Sequence, residues 1–121
     1  MLYCAHAIFF YAYDGQSSYL VHENVYLVSA DDDGGGMAVA MQLAAEYEQV
    51  GEESCLEIEG KKAEYKFAGI RKLISVQDEG EQVVFTARSG IEVTYSVMEV
   101  RTLADVERIA AGDSVMVNYR E

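Results

Sequence analysis

The sequence predicts a single α+β domain, with a mainly antiparallel sheet of about five to seven strands and two helices. Its 121 residues fit one domain, and no internal repeat or linker divides them. Three features predict this class: an aromatic first strand, short turn signals between strand-like runs, and two amphipathic helical segments. In chain order, the predicted elements are ββα(β)βββαβ.

The first predicted strand occupies residues 2–13, LYCAHAIFFYAY, and is apolar at both odd and even positions. A strand with this pattern is covered on both faces, so we expect it in the centre of the sheet. Asp14 and Gly15 then mark a turn. Residues 19–30 predict a second strand, which can pair with the first as a hairpin.

A helix is predicted from about Met37 to Val50, where apolar residues recur on one broad arc. It follows the run DDDGGG at residues 31–36. Carboxylates are favoured just before a helix N-terminus, where they cap free backbone N–H groups. The same run does not fit a calcium-binding EF-hand loop, because the twelfth position, which needs a glutamate, is Gln42.

The middle of the chain predicts further strands separated by glycine-containing turns. A short strand is expected near Cys55–Ile58, and longer strands are expected over residues 66–76, 82–87 and 91–100. The last two predict a hairpin through Ser89-Gly90. Apolar and polar residues alternate in the last strand, so one of its faces should be wet.

A second helix is predicted after Thr102, which resembles an N-cap and is followed three residues later by Asp105. Its apolar stripe consists of Leu103, Val106, Ile109 and Ala110. Gly112 ends the helix, and residues 114–120 predict the last strand. Because hairpins dominate the chain, we expect a largely antiparallel sheet with both helices on one face.

The net charge of −12 argues against several kinds of partner. Acidic residues outnumber basic ones 21 to 9, which suits neither nucleic acid nor an anionic membrane surface. Residues 1–60 contain eleven acidic residues and no lysine or arginine, whereas residues 61–121 contain ten acidic and nine basic residues. An acidic first half could attract a basic protein partner, or it could simply favour solubility.

The two cysteines, Cys4 and Cys55, are predicted to be reduced thiols rather than a disulfide. A chain of this length can build an adequate core without a disulfide. The first charged residue is Asp14, so no basic segment of a signal peptide precedes the apolar run, which is too short to span a bilayer. We therefore expect a cytoplasmic protein.

Motifs of the common catalytic, cofactor and metal sites are missing from the sequence. It contains no P-loop, no dinucleotide-binding glycine pattern and no nucleophile elbow. His6 and His22 could serve as metal ligands with Glu23 or Cys4, but their spacing is not that of a zinc site. We expect no cofactor, no metal and no catalytic residue.

Several polar side chains interrupt strands that are otherwise apolar. Such residues face solvent, pair across strands or line a cleft. A Glu23–Arg71 bridge would satisfy two of them, whereas a cleft formed by His6, Glu23, Arg71 and Tyr95 would bind a small ligand. The candidate ligand-binding residues are His6, His22, Glu23, Asn24, Arg71, Glu92 and Tyr95.

Four short motifs occur in the order seen in one bacterial family. They are Glu23-Asn24-Val25, Ser29-Ala30, Phe67-Ala68-Gly69-Ile70-Arg71-Lys72-Leu73 and Gly90-Ile91-Glu92-Val93-Thr94-Tyr95-Ser96. Together with the aromatic first strand and the closing helix and strand, they resemble the family called domain of unknown function 4288. The run at residues 31–36 departs from that family, whose first helix has a Ser-Glu-Glu-Ala-like start. The resemblance implies a bacterial cytoplasmic domain and implies no activity.

The lack of catalytic signatures and the acidic first half favour a non-enzymatic protein-interaction module. Its partner would be a basic protein or a second copy of the chain, and an immunity protein that neutralises a toxin is one concrete version. The alternative is a small-ligand sensor or an enzyme that uses the cleft of His6, Glu23, Arg71 and Tyr95.

Overall fold

A computed structural model describes residues 1–53, 57–58, 60–76 and 89–120. These residues form two helices and seven strands. The elements are β1 (Leu2–Ala12), β2 (Tyr19–Ser29), α1 (Asp33–Glu53), β3 (Glu57–Ile58), β4 (Lys61–Lys62), β5 (Glu64–Ser75), β6 (Glu92–Val100), α2 (Leu103–Ala110) and β7 (Asn118–Arg120). Within the described chain, neither helix combines the length and the apolar character that crossing a membrane requires.

The main sheet has five antiparallel strands in the order β5-β1-β2-β6-β7, and β3 pairs with β4 separately. The predicted α+β class is therefore confirmed, as is the hairpin of β1 with β2, in which Leu2 faces Ser29. β1 is an interior strand, as its two apolar faces predict. The predicted strand over 82–87 and the thiol of Cys55 lie outside the described residues. The last strand is shorter than predicted, since it begins only at Asn118.

The two helices pack on opposite faces of the sheet, so the prediction that both lie on one face is wrong. Odd-numbered residues of β1, such as Tyr3 and Phe9, are buried under α1. Even-numbered residues, such as Ile8 and Phe10, are buried with Val106 of α2. The physical reason is already present in β1: a strand that is apolar on both faces needs a cover on each.

α1 begins four residues before the predicted start, because the glycine run belongs to the helix. Asp32 caps it: Gly35 N–H donates to Asp32 Oδ1 at 2.7 Å, and Gly36 N–H donates to the Asp32 carbonyl at 2.9 Å. A Cβ added at Gly36 would lie 3.0 Å from a methyl carbon of Leu73 and 3.3 Å from the ring of Tyr3. The absent side chain thus lets the first turn approach the sheet closely.

α2 has the predicted cap, since Thr102 Oγ1 accepts a hydrogen bond from Asp105 N–H at 3.1 Å. Arg71 of β5 forms hydrogen bonds with the C-terminal end of α2. The guanidinium donates from Nη1 to the carbonyl oxygens of Ile109 at 2.6 Å and Asp113 at 3.1 Å. A cation at a helix C-terminus is favourable because the last carbonyls carry partial negative charge.

The two helices cover opposite faces of the sheet, and each covers a different end of β1. α1 lies over β1 from Tyr3 to Phe9 on one face, whereas α2 lies over Ile8 and Phe10 on the other. Each face therefore keeps one end that no described helix covers. The uncovered end on the α1 side contains a group of tyrosines, and the uncovered end on the α2 side contains His6 and Glu23.

Candidate functional site

The uncovered end on the α1 side is the candidate site, and we call it the tyrosine surface. Strand register places its members on this face. His22 pairs with Phe9, and Asn24 pairs with Ala7 on one side and with Tyr95 on the other. The tyrosine surface consists of Tyr11, His22, Asn24, Tyr65, Glu92 and Tyr95.

Tyr65 forms the floor of the tyrosine surface. Its ring stacks on the fully buried ring of Phe9, with centroids 4.9 Å apart and an interplanar angle of 7°. The rings of Tyr11 and His22 lie 5.0 and 5.9 Å from it, and 5.3 Å from one another. These are the offset and edge-on arrangements that aromatic rings favour, so the half-buried cluster is held in one arrangement.

Burial disfavours the charged forms of the titratable groups in this cluster. It raises the pKa of the Tyr65 phenol, and the nearby groups Tyr11 and Glu92 add to that rise. It also raises the pKa of Tyr11 and lowers the pKa of His22. Asn24 Nδ2 donates a hydrogen bond of 3.3 Å to Tyr65 Oη, which links β2 to β5 across β1.

The β6 part of the tyrosine surface is far more exposed. Tyr95 is 61% exposed, and Val93 in the same strand is 54% exposed. The alternation in 91–100 predicted one wet face, but the structure leaves both faces of 91–96 exposed. The reason is the position of the two helices, since α1 and α2 each pack mainly on β5, β1 and β2. A β-bulge at Val93 also places Glu92 opposite Tyr26, on the same face as Tyr95.

The uncovered end on the α2 side is held together by a pair of its own. His6 Nδ1 lies 2.8 Å from Glu23 Oε2, and both side chains are largely buried, with 16% and 21% of their surface exposed. Glu23 therefore pairs with His6 and not with Arg71, whose guanidinium is bonded to the end of α2. Tyr95 lies on the opposite face, so the predicted four-residue cleft does not form.

The seven predicted residues thus separate by face of the sheet. His22, Asn24, Glu92 and Tyr95 lie on the α1 side, and His6, Glu23 and Arg71 lie on the α2 side. His6 and His22 cannot share a metal ion because the sheet lies between them. Among the described residues, no group of three histidine, cysteine or carboxylate side chains is placed to hold a metal. The thiol of Cys4 is free and partly buried.

Sequence reasoning missed Tyr11 and Tyr65. The signal was present, because Tyr11 shares odd numbering with Phe9 in a strand with two apolar faces. Tyr65 lay outside the predicted strand, which was assigned to 66–76, whereas β5 begins at Glu64. Grooves of about 840 and 660 Å³ lie elsewhere on the molecule, and neither is lined by a predicted site residue.

Comparison with known proteins adds no assignment: no family model, curated protein or solved structure matches the chain. The resemblance to domain of unknown function 4288 therefore stays a prediction.

Proposed function

We propose that the chain is a protein-interaction domain that binds a basic segment of a partner protein on the tyrosine surface. The observation that carries this proposal is the exposure of Tyr95 on the same face as the exposed carboxylate of Glu92. Tyrosines that are partly buried and partly exposed are enriched in protein interfaces, where they supply rigid contact area.

The charge of the chain supports a basic partner. With a net charge of −12, the molecule attracts positively charged surfaces and speeds their encounter with it. No described lysine or arginine lies within ion-pair distance of Glu92. A cation on the partner would supply a counter-charge that the described chain does not.

A second copy of the chain is a poorer occupant of the same surface. Two copies would bring two strongly acidic molecules together, which is repulsive at moderate salt. Light scattering coupled to size-exclusion chromatography should therefore give the monomer mass of 13.4 kDa over a range of concentrations. A concentration-dependent dimer that the Tyr95→Ser substitution abolishes would replace the proposed partner with a second copy.

The proposed function is tested by selecting random-sequence peptides displayed on phage against the intact chain, at about 0.05 M and about 0.5 M salt. We expect peptides rich in arginine and lysine at low salt, and weaker binding at high salt. Neutral or acidic peptides, or no enrichment at all, would contradict the proposal. An immunity protein that neutralises a basic toxin is one biological version of such a module.

Matched variants locate the binding surface. Glu92→Lys should weaken binding of the selected peptides by about tenfold or more, because it places like charges together. Glu107→Lys makes the same change of charge at an exposed position of α2 and should leave binding nearly unchanged. Tyr95→Ser should likewise weaken binding, whereas Tyr119→Ser, at a 73% exposed tyrosine that pairs with Met98, should not. Equal effects of Glu92→Lys and Glu107→Lys would show that net charge alone drives the interaction.

A further inference from the structure

We infer that the tyrosine surface contains a subsite for one guanidinium group, where Glu92, Asn24 and the ring of Tyr95 lie side by side on β2 and β6. The inference rests on the proposed function, because the guanidinium would belong to an arginine in the partner's basic segment.

The register of β2 and β6 brings the three residues together. Asn24 and Tyr95 form a cross-strand pair, so their Cβ atoms are about 5 Å apart. Glu92 pairs with Tyr26, which is two residues from Asn24 along β2, a spacing of about 7 Å. The bulge at Val93 keeps Glu92 on the same face, although Glu92 and Tyr95 are three residues apart in sequence.

Acceptor atoms dominate this subsite. Asn24 Nδ2 donates one of its two N–H groups to Tyr65 Oη, and the amide oxygen of the same side chain can accept from a partner. The carboxylate of Glu92 accepts only. The hydroxyl of Tyr47, the nearest phenol of α1, is committed to the carbonyl of Gly90 at 2.7 Å. A partner group that only donates is the complement of this arrangement.

The aromatic rings favour a cation over a neutral donor. Tyr95 is 61% exposed, and a guanidinium stacks on an accessible tyrosine ring through the cation–π attraction. The other titratable groups nearby do not oppose it. Burial lowers the pKa of His22, so the imidazole carries no charge at neutral pH and does not repel the cation.

Arginine fits these features better than lysine. Its planar fork can lie on the ring of Tyr95 while its edge donates both to Glu92 and to Asn24 on the neighbouring strand. An ammonium group is compact and strongly hydrated, and it cannot stack and bridge two strands at once. The subsite should therefore prefer arginine to lysine of equal charge.

The test titrates the isotopically labelled chain with N-acetylarginine amide, N-acetyllysine amide and N-acetylcitrulline amide, followed by NMR. Citrulline has the shape of arginine without its charge. We expect millimolar binding of the arginine compound with shifts at Asn24, Glu92 and Tyr95, about threefold tighter than the lysine compound, and no binding of the citrulline compound. Equal affinities for all three, or shifts confined to other residues, would overturn the inference.

Conservative variants separate the subsite from general charge. Glu92→Gln should weaken arginine binding by about threefold, while Glu107→Gln, which removes the same charge from α2, should leave it unchanged. Tyr95→Leu keeps an apolar side chain but removes the ring, so it should abolish the preference for arginine over lysine. A preference that survives Tyr95→Leu contradicts the stacking that the inference requires.

Oligoarginine and oligolysine peptides of equal length distinguish failure of the subsite from failure of the proposed function. If both bind equally and both lose affinity on Glu92→Lys, the surface binds basic segments and the arginine subsite is wrong. If neither binds, both the subsite and the basic-partner function are wrong. Tighter binding of oligoarginine, lost in Tyr95→Leu, supports both.

Discussion

The two uncovered ends of the sheet carry similar polar residues but use them differently. On the α2 side, His6 and Glu23 bind one another at 2.8 Å and are mostly buried. On the α1 side, Glu92 and Tyr95 lie on the same face, and both are exposed. The polar residues within the strands therefore have two roles. The His6–Glu23 pair stabilises the fold, whereas Glu92 and Tyr95 face solvent with acceptor atoms available.

This difference assigns stability to one end of the sheet and binding to the other. Substitutions of His6 and Glu23 should change the free energy of unfolding and leave peptide binding intact. Substitutions of Glu92 and Tyr95 should do the reverse, because exposed side chains contribute little to folding.

The largest effect is expected in the core beneath the tyrosine surface. Phe9→Leu removes the ring on which Tyr65 stacks, so it should lower the free energy of unfolding by about 2 kcal/mol and also weaken binding of arginine amide. Phe10→Leu is the matched control on the other face, where the ring contacts Tyr19. It should cost similar stability, measured by urea denaturation, without weakening binding. Equal loss of binding in both variants would break the separation of the two ends.

The His6–Glu23 pair should give a coupling free energy of about 1 kcal/mol in a double-mutant cycle. The cycle uses His6→Ala, Glu23→Ala and the double variant, each unfolded in urea. Removing either side chain leaves the other largely buried without its partner. Each single variant should therefore lower the free energy of unfolding nearly as much as the double variant does. Additive effects of the two substitutions would show that the short contact adds nothing to stability.

The Asn24–Tyr65 hydrogen bond should give a smaller coupling, about 0.5 kcal/mol, because it is long, neutral and partly exposed. Asn24→Ala and Tyr65→Phe with their double variant provide the cycle. The Tyr65→Phe substitution keeps the stack on Phe9, so it isolates the hydroxyl. A coupling free energy between Asn24 and Tyr65 as large as that between His6 and Glu23 would contradict the view that only the α2 side contains a strongly stabilising polar pair.

The smallest effect concerns pH. Burial lowers the pKa of His22 from its ordinary value of 6.5, so the unfolded chain binds a proton that the folded chain resists. Stability should therefore fall as the pH drops from about 7.5 to about 5.5, and His22→Gln should remove this part of the pH dependence. Urea denaturation of both proteins at the two pH values measures the difference. An unchanged pH dependence in His22→Gln would contradict the prediction.

Much of the local structure follows from the sequence alone. The two apolar faces of residues 2–13 predict an interior strand, and Thr102 with Asp105 predicts the cap of α2. These signals are local, since they depend on alternation along one strand or on backbone groups within one turn. The predicted start of α1 is too late because glycine is a poor helix former, and of the three glycines only Gly36 closely approaches Tyr3 and Leu73.

The sequence also identified His22, Asn24, Glu92 and Tyr95 as candidate residues without showing that they share a face. The prediction that Tyr95 lies beside His6 and Glu23 is wrong, because the strand register places Tyr95 on the opposite face of the sheet. Side chains alternate with a period of two, so a change of one residue in pairing reverses the face. The bulges at Ala68, Arg71 and Val93 change that pairing, and they depend on contacts between distant strands.

The two helices, the antiparallel sheet and the strong negative charge follow from the sequence alone, because each depends on neighbouring residues or on composition. The face that each helix covers, the partner of Glu23 and the exposure of the polar groups are set by the folded chain as a whole. Those outcomes depend on register and on packing between distant segments. The tyrosine surface exists because α1 and α2 cover opposite ends of opposite faces, a property of the assembled sheet and of no single segment.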